Sequence, residues 1–394
     1  MKAILRIAAG DLVSKALLVA INLYLIRWLA VDQYSHFTVL LNAVFLGYQL
    51  ACGPLERLYI AEHERYKSHL TSLRLILSGC SAMACIIWLW QSILWTDVIL
   101  IFVGVFLLSA YQVLRIRLQQ SLDFTLFSLA EILKNVLWLG ILMLLLSVSS
   151  LPPGTSSLLS LLIGTFVAMW VLKMVAGRRL PTLDRRVEGV KIPRVLWTTR
   201  YVIGYSLIGS LVPYLPVMIA TTSGSDAITA TYGAAMRYLA ILGMAVFAFN
   251  TVLLPQMAAQ GDGKKKRNAL MLRLKRFAPW ALLLFIVAVF AIWLVMPYVD
   301  QGKYPLLRPV FLILSITPAL SLVGAPYVNM LLLDGRARVV LACFSAGLSV
   351  NIGAFLLLSA FQNLLAPAWS SLVAYLTITV SIALCATRAR RRLV

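Results

Sequence analysis

Long apolar runs separated by short polar breaks repeat along the whole chain, near 9–30, 36–55, 73–95, 97–115, 124–148, 155–176, 200–221, 227–254, 279–298, 306–330, 337–360 and 365–387. Each is long enough to cross a hydrocarbon layer of about 30 Å as a helix. Lipid offers no partner to an unpaired backbone N–H or C=O, so a spanning chain must be helical or a closed barrel. Hydrophobicity here is continuous rather than alternating, which selects helices. The pattern predicts an all-α polytopic membrane protein of about twelve transmembrane helices.

The longest polar break falls near the middle of the chain, with six runs on either side. The expected organisation is an N-terminal six-helix lobe at 1–176, a basic cytoplasmic linker at 177–199 and a C-terminal six-helix lobe at 200–394. Many transporters are built from two such halves with the substrate path between them. A faint internal echo accompanies the division: Asp32, Phe37 and Leu46-Gly47 in the first half, Asp226, Tyr232 and Leu242-Gly243 in the second.

Composition sharpens this picture. Of 394 residues, 61% are hydrophobic and 12% charged, about half the charged fraction of a soluble domain, which excludes an ordinary soluble enzyme. The net charge of +21 would suggest nucleic-acid binding in a soluble protein, but here the position of the cations gives their meaning. With a cytoplasmic N-terminus, the even-numbered connections hold Arg57, Arg65, Lys67 and Arg74, then Arg115 and Arg117, then the runs Arg178–Arg200 and Lys264–Arg276. The opposite side holds only Lys303 and Arg308. The positive-inside bias therefore predicts cytoplasmic N- and C-termini, and no nucleic-acid partner is needed to explain the charge. The first apolar run has no small-residue cleavage site and is read as a retained span. Cys52, Cys80, Cys85, Cys343 and Cys385 lie in apolar segments without metal or disulfide spacing, as expected of buried thiols.

Several short motifs resemble those of Wzx-type oligosaccharide flippases, the polysaccharide transporter family of the multidrug/oligosaccharidyl-lipid/polysaccharide exporter superfamily. The stretch Leu25-Ile-Arg-Trp-Leu-Ala-Val-Asp-Gln-Tyr-Ser-His-Phe37 is similar to that family's first turn, with Ser35 in place of the usual Gly. Thr231-Tyr-Gly-Ala-Ala-Met-Arg237 and Leu253-Leu-Pro255-Gln are similar to its eighth span and exit. Gly302-Lys-Tyr304 and Leu331-Leu-Leu-Asp-Gly-Arg336 resemble the turns around its tenth span, whereas Leu364-Leu-Ala-Pro-Ala368 lacks the usual glycines. The resemblance implies a two-lobed, V-shaped, alternating-access transporter in the bacterial inner membrane, moving undecaprenyl-pyrophosphate-linked oligosaccharides between leaflets for O-antigen or exopolysaccharide synthesis. It implies no cofactor, coupling to a proton or sodium gradient, and polysaccharide polymerase and chain-length proteins as partners alongside the membrane lipids.

Ionisable groups inside spans are expensive and each is a candidate site. Asp11 and Lys15 are four apart and Glu131 and Lys134 three apart, so each pair shares a helix face. Asp11 and Glu131 are thus either ion-coupling groups or halves of structural pairs. Lys173 is close enough to a span end to snorkel, and Glu56 and Arg57 are interfacial. Arg237 lies near the midplane with no acid within four residues, and either binds an anion or pairs with Glu131 or Asp11 on another helix. Arg27 is nearer the outer surface. The substrate-binding candidates are Arg237, Arg27, Lys15 and Lys134, cations suited to the acceptor oxygens of a pyrophosphate. Pro213 and Pro216 predict a bend in the seventh span, either a gate or a static kink. Tyr201, Tyr205, Tyr214, Tyr232 and Tyr238 either stack on sugar rings or pack the core.

Three rival functions remain, one of them an unrelated secondary transporter. A multidrug antiporter of the same superfamily would present acids to a cationic drug. A membrane-embedded glycan polymerase or ligase would need longer external connections and a catalytic cluster. The only histidines are His36, His63 and His69, no catalytic or metal site can be assembled from the motifs, and a phosphate-cradling ATPase loop is missing from the chain.

Overall fold

The computed structural model describes residues 2–61, 70–90, 93–120, 124–149, 151–176, 197, 199–222, 225–259, 264–361 and 363–391. The helices are α1 (Lys2–Trp28), α2 (Val31–Ala61), α3 (Leu70–Leu89), α4 (Trp95–Gln120), α5 (Phe124–Val148), α6 (Pro153–Ala176), α7 (Arg200–Leu211), α8 (Leu215–Thr221), α9 (Asp226–Ala259), α10 (Lys264–Asp300), α11 (Leu307–Leu333), α12 (Ala337–Ser359) and α13 (Ala366–Arg391). A single 3-10 turn, Val212–Tyr214, joins α7 to α8. With α7 and α8 counted as one span, the twelve apolar runs match helices in order. Among the described residues, ten segments are long and apolar enough to cross a membrane; α1 and α9 stand at the places of the first and eighth spans.

The helix ends depart from the runs. The basic stretch from Lys264 was read as a connection up to 278, yet α10 is helical from Lys264 onward. Likewise α4 runs on through Arg115 and Arg117 to Gln120, and α2 continues past Pro54 to Ala61. Hydropathy marks where lipid ends, not where the backbone stops being helical, and Lys, Arg, Leu and Gln are good helix formers.

The chain divides into two compact units, Met1–Tyr214 and Leu215–Val394. Most of the linker expected at 177–199 lies outside the described residues. Residues 200–214 fold with the first unit because α7 packs on α2: a Cβ placed on Gly53 would sit 3.0 Å from Ser210 Oγ, and the Asn42 side-chain amide donates to the Tyr214 carbonyl at 3.4 Å.

In the first unit α2 is the central helix, packed against α3, α4, α6 and α7, while α1 packs on α5 and α5 on α6. Small residues set the spacing, as is usual where lipid removes the hydrophobic drive for helix association. Gly47 faces Val105 and Gly104 faces Val44, each glycine holding the other helix's valine. Gly164 lies so close to the Trp138 backbone that a Cβ would stand 2.9 Å from its nitrogen. In the second unit α11 packs on α9 and α13, and α13 on α12, with Gly347 facing Ile378. Many apolar side chains along α10, among them Leu284 and Phe290, are exposed in that unit, as suits a face turned to lipid.

Candidate functional site: charges within the two helical units

Helices α1, α4 and α5 bring a polar cluster into the first unit. Glu131 lies seven residues into α5, about 10 Å from its end at 1.5 Å per residue. Its Oε2 accepts from Lys134 Nζ at 2.7 Å, one turn along the same helix. Its Oε1 accepts from Arg115 at 2.8 Å, across from α4. The three side chains are only 15–17% exposed. Lys15 of α1 adds its charge to the field at the same carboxylate, and the adjacent Ser14 is tied to α5 by Asn135, whose amide donates to the Ser14 carbonyl at 2.8 Å and to its hydroxyl at 3.0 Å.

Aromatic rings complete the site. The Arg115 guanidinium lies 4.6 Å from the Phe127 ring centre, and Lys134 Nζ lies 5.3 Å from that of Tyr111, both within cation–π range. Gln112 accepts from Arg115 at 3.2 Å. Two cations thus share one carboxylate, both of whose oxygens are engaged, with the charge of Lys15 added to the field there. The spacing-based expectation of a Glu131–Lys134 pair is met. The sequence reading missed Arg115, which was assigned to a cytoplasmic connection; its place in α4 is the correction. Arg74 was assigned in the same way but lies in α3, donating to the Phe106 carbonyl at 3.4 Å and lying 3.5 Å from Ser109 Oγ.

The remaining candidates are dispersed. Arg27 is exposed in the last turn of α1, where a cation complements the helix dipole. The side chain of Asp11 lies outside the described residues, so its pairing with Lys15 does too. Pro213 sits in the 3-10 turn and Pro216 in the first turn of α8, so the proline pair coincides with an interruption of the α-helix, in keeping with two missing backbone N–H donors. Tyr205, Tyr232 and Tyr238 are buried; Tyr232 donates to the Leu364 carbonyl at 3.1 Å and accepts from the Ala368 N–H at 3.3 Å, a structural staple between α9 and the start of α13.

In the second unit Arg237 lies eleven residues into α9, about 16 Å along it. It is part-buried, and its Nε is enclosed without a hydrogen-bond partner. Among the described residues no ion pair holds it. Neither does any group of three His, Cys, Asp or Glu side chains there suit a metal ion.

No family profile and no curated protein matches the chain. Solved structures do. The chain is similar to a mutant of the Vibrio cholerae MATE transporter VcmN, with a TM-score of 0.66 at 17% identity over 99% of this chain and 97% of that one. It is similar to the inward-facing form of a multidrug resistance MATE family transporter of the MOP superfamily, with a TM-score of 0.64 at 16% identity over 99% and 98%. A eukaryotic MATE transporter gives 0.58 at 14% identity over 100% and 98%. These likenesses span both units and establish a MATE-like fold with two helical bundles.

Proposed function

We propose that the chain is an alternating-access membrane transporter that exports an amphiphile carrying an anionic group, with a polyprenyl-pyrophosphate-linked oligosaccharide as its cargo. The observation that carries this reading is the charge balance around Glu131. The one carboxylate described there is saturated by Arg115 and Lys134 with Lys15 nearby, which leaves cationic donors rather than acids to meet a cargo. Guanidinium and ammonium groups suit pyrophosphate oxygens. Arg237, which no ion pair among the described residues engages, is a further cation suited to such an anion.

The multidrug antiporter is the second reading, and the comparisons favour it over the flippase, since the neighbours described above are MATE transporters. Fold does not fix cargo. Both readings place the protein in the bacterial inner membrane with cytoplasmic termini and gradient-driven transport; the flippase reading adds polymerase and chain-length proteins as partners.

Reconstitution in proteoliposomes separates the two. The flippase reading expects a fluorescent polyprenyl pyrophosphate to cross between leaflets, with competition by unlabelled pyrophosphate lipid and none by the cationic dye ethidium. Gradient-driven accumulation of ethidium without movement of the lipid would establish multidrug antiport instead.

A further inference from the structure

The second unit holds two of the chain's five cysteines, Cys343 on α12 and Cys385 on α13. These helices are consecutive and packed along each other, so the start of α12 lies beside the end of α13. Cys343 stands six residues after Ala337 and Cys385 six before Arg391, each about 9 Å into its helix, which brings the two to one depth. Their thiols are within hydrogen-bonding reach of one another. Both line a cavity of about 370 Å³, together with Arg338, Ala342, Ala346 and Ser381. Cys343 is buried and Cys385 partly exposed.

Close approach of the two helices makes the pair one that a covalent bond can bridge. Gly347, one turn beyond Cys343, faces Ile378 of α13, and a Cβ there would lie 3.2 Å from the Ala374 carbonyl oxygen. A disulfide needs Cα atoms about 4.4 to 6.8 Å apart, a spacing that helices reach where small residues such as Ala342, Ala346 and Gly347 line the seam. The thiols of the first unit are placed differently: Cys80 is exposed, and Cys52 is buried with its thiol donating to the Ser109 carbonyl at 3.7 Å.

We propose that Cys343 and Cys385 form a redox modification site, a dithiol that closes to a disulfide between α12 and α13 when a small disulfide such as oxidised glutathione enters the cavity. The thiolate of the partly exposed Cys385 attacks one sulfur of the reagent, forming a mixed disulfide and releasing one thiol. The Cys343 thiolate then attacks the Cys385 sulfur, the bond between the helices forms and the second thiol leaves. The two cysteines give up two protons and two electrons, and the reagent takes them up as two thiols. Reducing surroundings keep the pair open, so closure answers an oxidised thiol pool. The site rests on neither the cargo nor the orientation given under Proposed function.

The test treats full-length protein, folded in detergent and carrying Cys80→Ser to silence the exposed thiol, with oxidised glutathione, followed by alkylation and digestion with chymotrypsin. Peptides joined through Cys343 and Cys385 are expected, and a reductant should separate them. A cross-link constrains the unfolded chain, so oxidation should raise the melting temperature, and neither Cys343→Ser nor Cys385→Ser should show that rise. In Cys343→Ser a glutathione adduct should accumulate on Cys385, because the thiol that resolves it is gone. Three results would each overturn the proposal: both cysteines still open to alkylation after treatment, glutathione retained on Cys385 while Cys343 is present, or a Cys385 bridge that joins two copies of the chain instead.

Discussion

The two units treat intramembrane charge in opposite ways. In the first, Glu131 is held from α4 and from its own helix, and the arginine and lysine that hold it also rest on aromatic faces. In the second, no ion pair among the described residues engages Arg237. Burying a charge is tolerable when it is paired and hydrogen-bonded and costly when it is not. The contrast teaches that presence in a span is not the informative property of a charge; the informative property is whether the fold already satisfies it. The Glu131 cluster ties α4 to α5 through paired charges. Arg237 is a cost to its unit that an anionic cargo would offset.

The largest test of that contrast removes the carboxylate. Glu131→Gln leaves Arg115 and Lys134 facing each other inside the bundle, and breaking a buried pair costs about 3 to 5 kcal/mol. Abundance and thermal stability in detergent should fall sharply. The triple change of Glu131, Arg115 and Lys134 to Gln, Met and Met should recover much of the loss, because no uncompensated charge remains. A Glu131→Gln protein as stable as wild type would mean that the cluster is not a structural unit.

Arg237→Ala should show the converse. Stability is expected to hold or rise, because an unsatisfied buried donor is removed, whereas affinity for a polyprenyl pyrophosphate should fall by about one to two decades, matching the loss of a charged hydrogen bond of about 1.5 to 3 kcal/mol. Arg237→Lys should recover only part, since an ammonium cannot reproduce the planar paired donors. Destabilisation of Arg237→Ala to the extent seen for Glu131→Gln would erase the distinction between the units.

How far the sequence carried follows from the same chemistry. The twelve helices were legible because continuous apolarity of membrane length has one physical meaning. The Glu131–Lys134 pair was legible because spacing along one helix fixes which side chains meet. Arg115 and Arg74 were not, because each borders a hydropathy break and its engagement depends on a neighbouring helix: Glu131 of α5 for Arg115, the Phe106 carbonyl of α4 for Arg74. The hydrogen bond between His36 and Asp97 spans 61 positions, a separation no local pattern encodes. The prolines announced a break in the seventh span, but not that the units would divide there; that depends on Ser210 and Tyr214 meeting α2.

The smallest effect tests whether the internal echo of Leu-Gly in the two halves reflects equal packing. Gly47 on α2 and Gly243 on α9 occupy matching places in that echo, yet their surroundings differ. A Cβ on Gly47 would lie 2.5 Å from a Val105 methyl, whereas a Cβ on Gly243 would meet nothing within 4 Å. Overpacking a close helix contact costs about 1 to 3 kcal/mol, while glycine inside a helix is itself worse than alanine by about 1 kcal/mol. The two terms oppose each other at Gly47, whereas at Gly243 helix propensity acts alone. Gly47→Ala should therefore lower the melting temperature modestly, and Gly47→Ala with Val105→Ala should restore part of it by opening space for the new methyl. Gly243→Ala should raise the melting temperature or leave it unchanged. Equal losses at both positions would mean that α9, like α2, needs its glycine for close approach, and that the two units are packed more alike than their charges are.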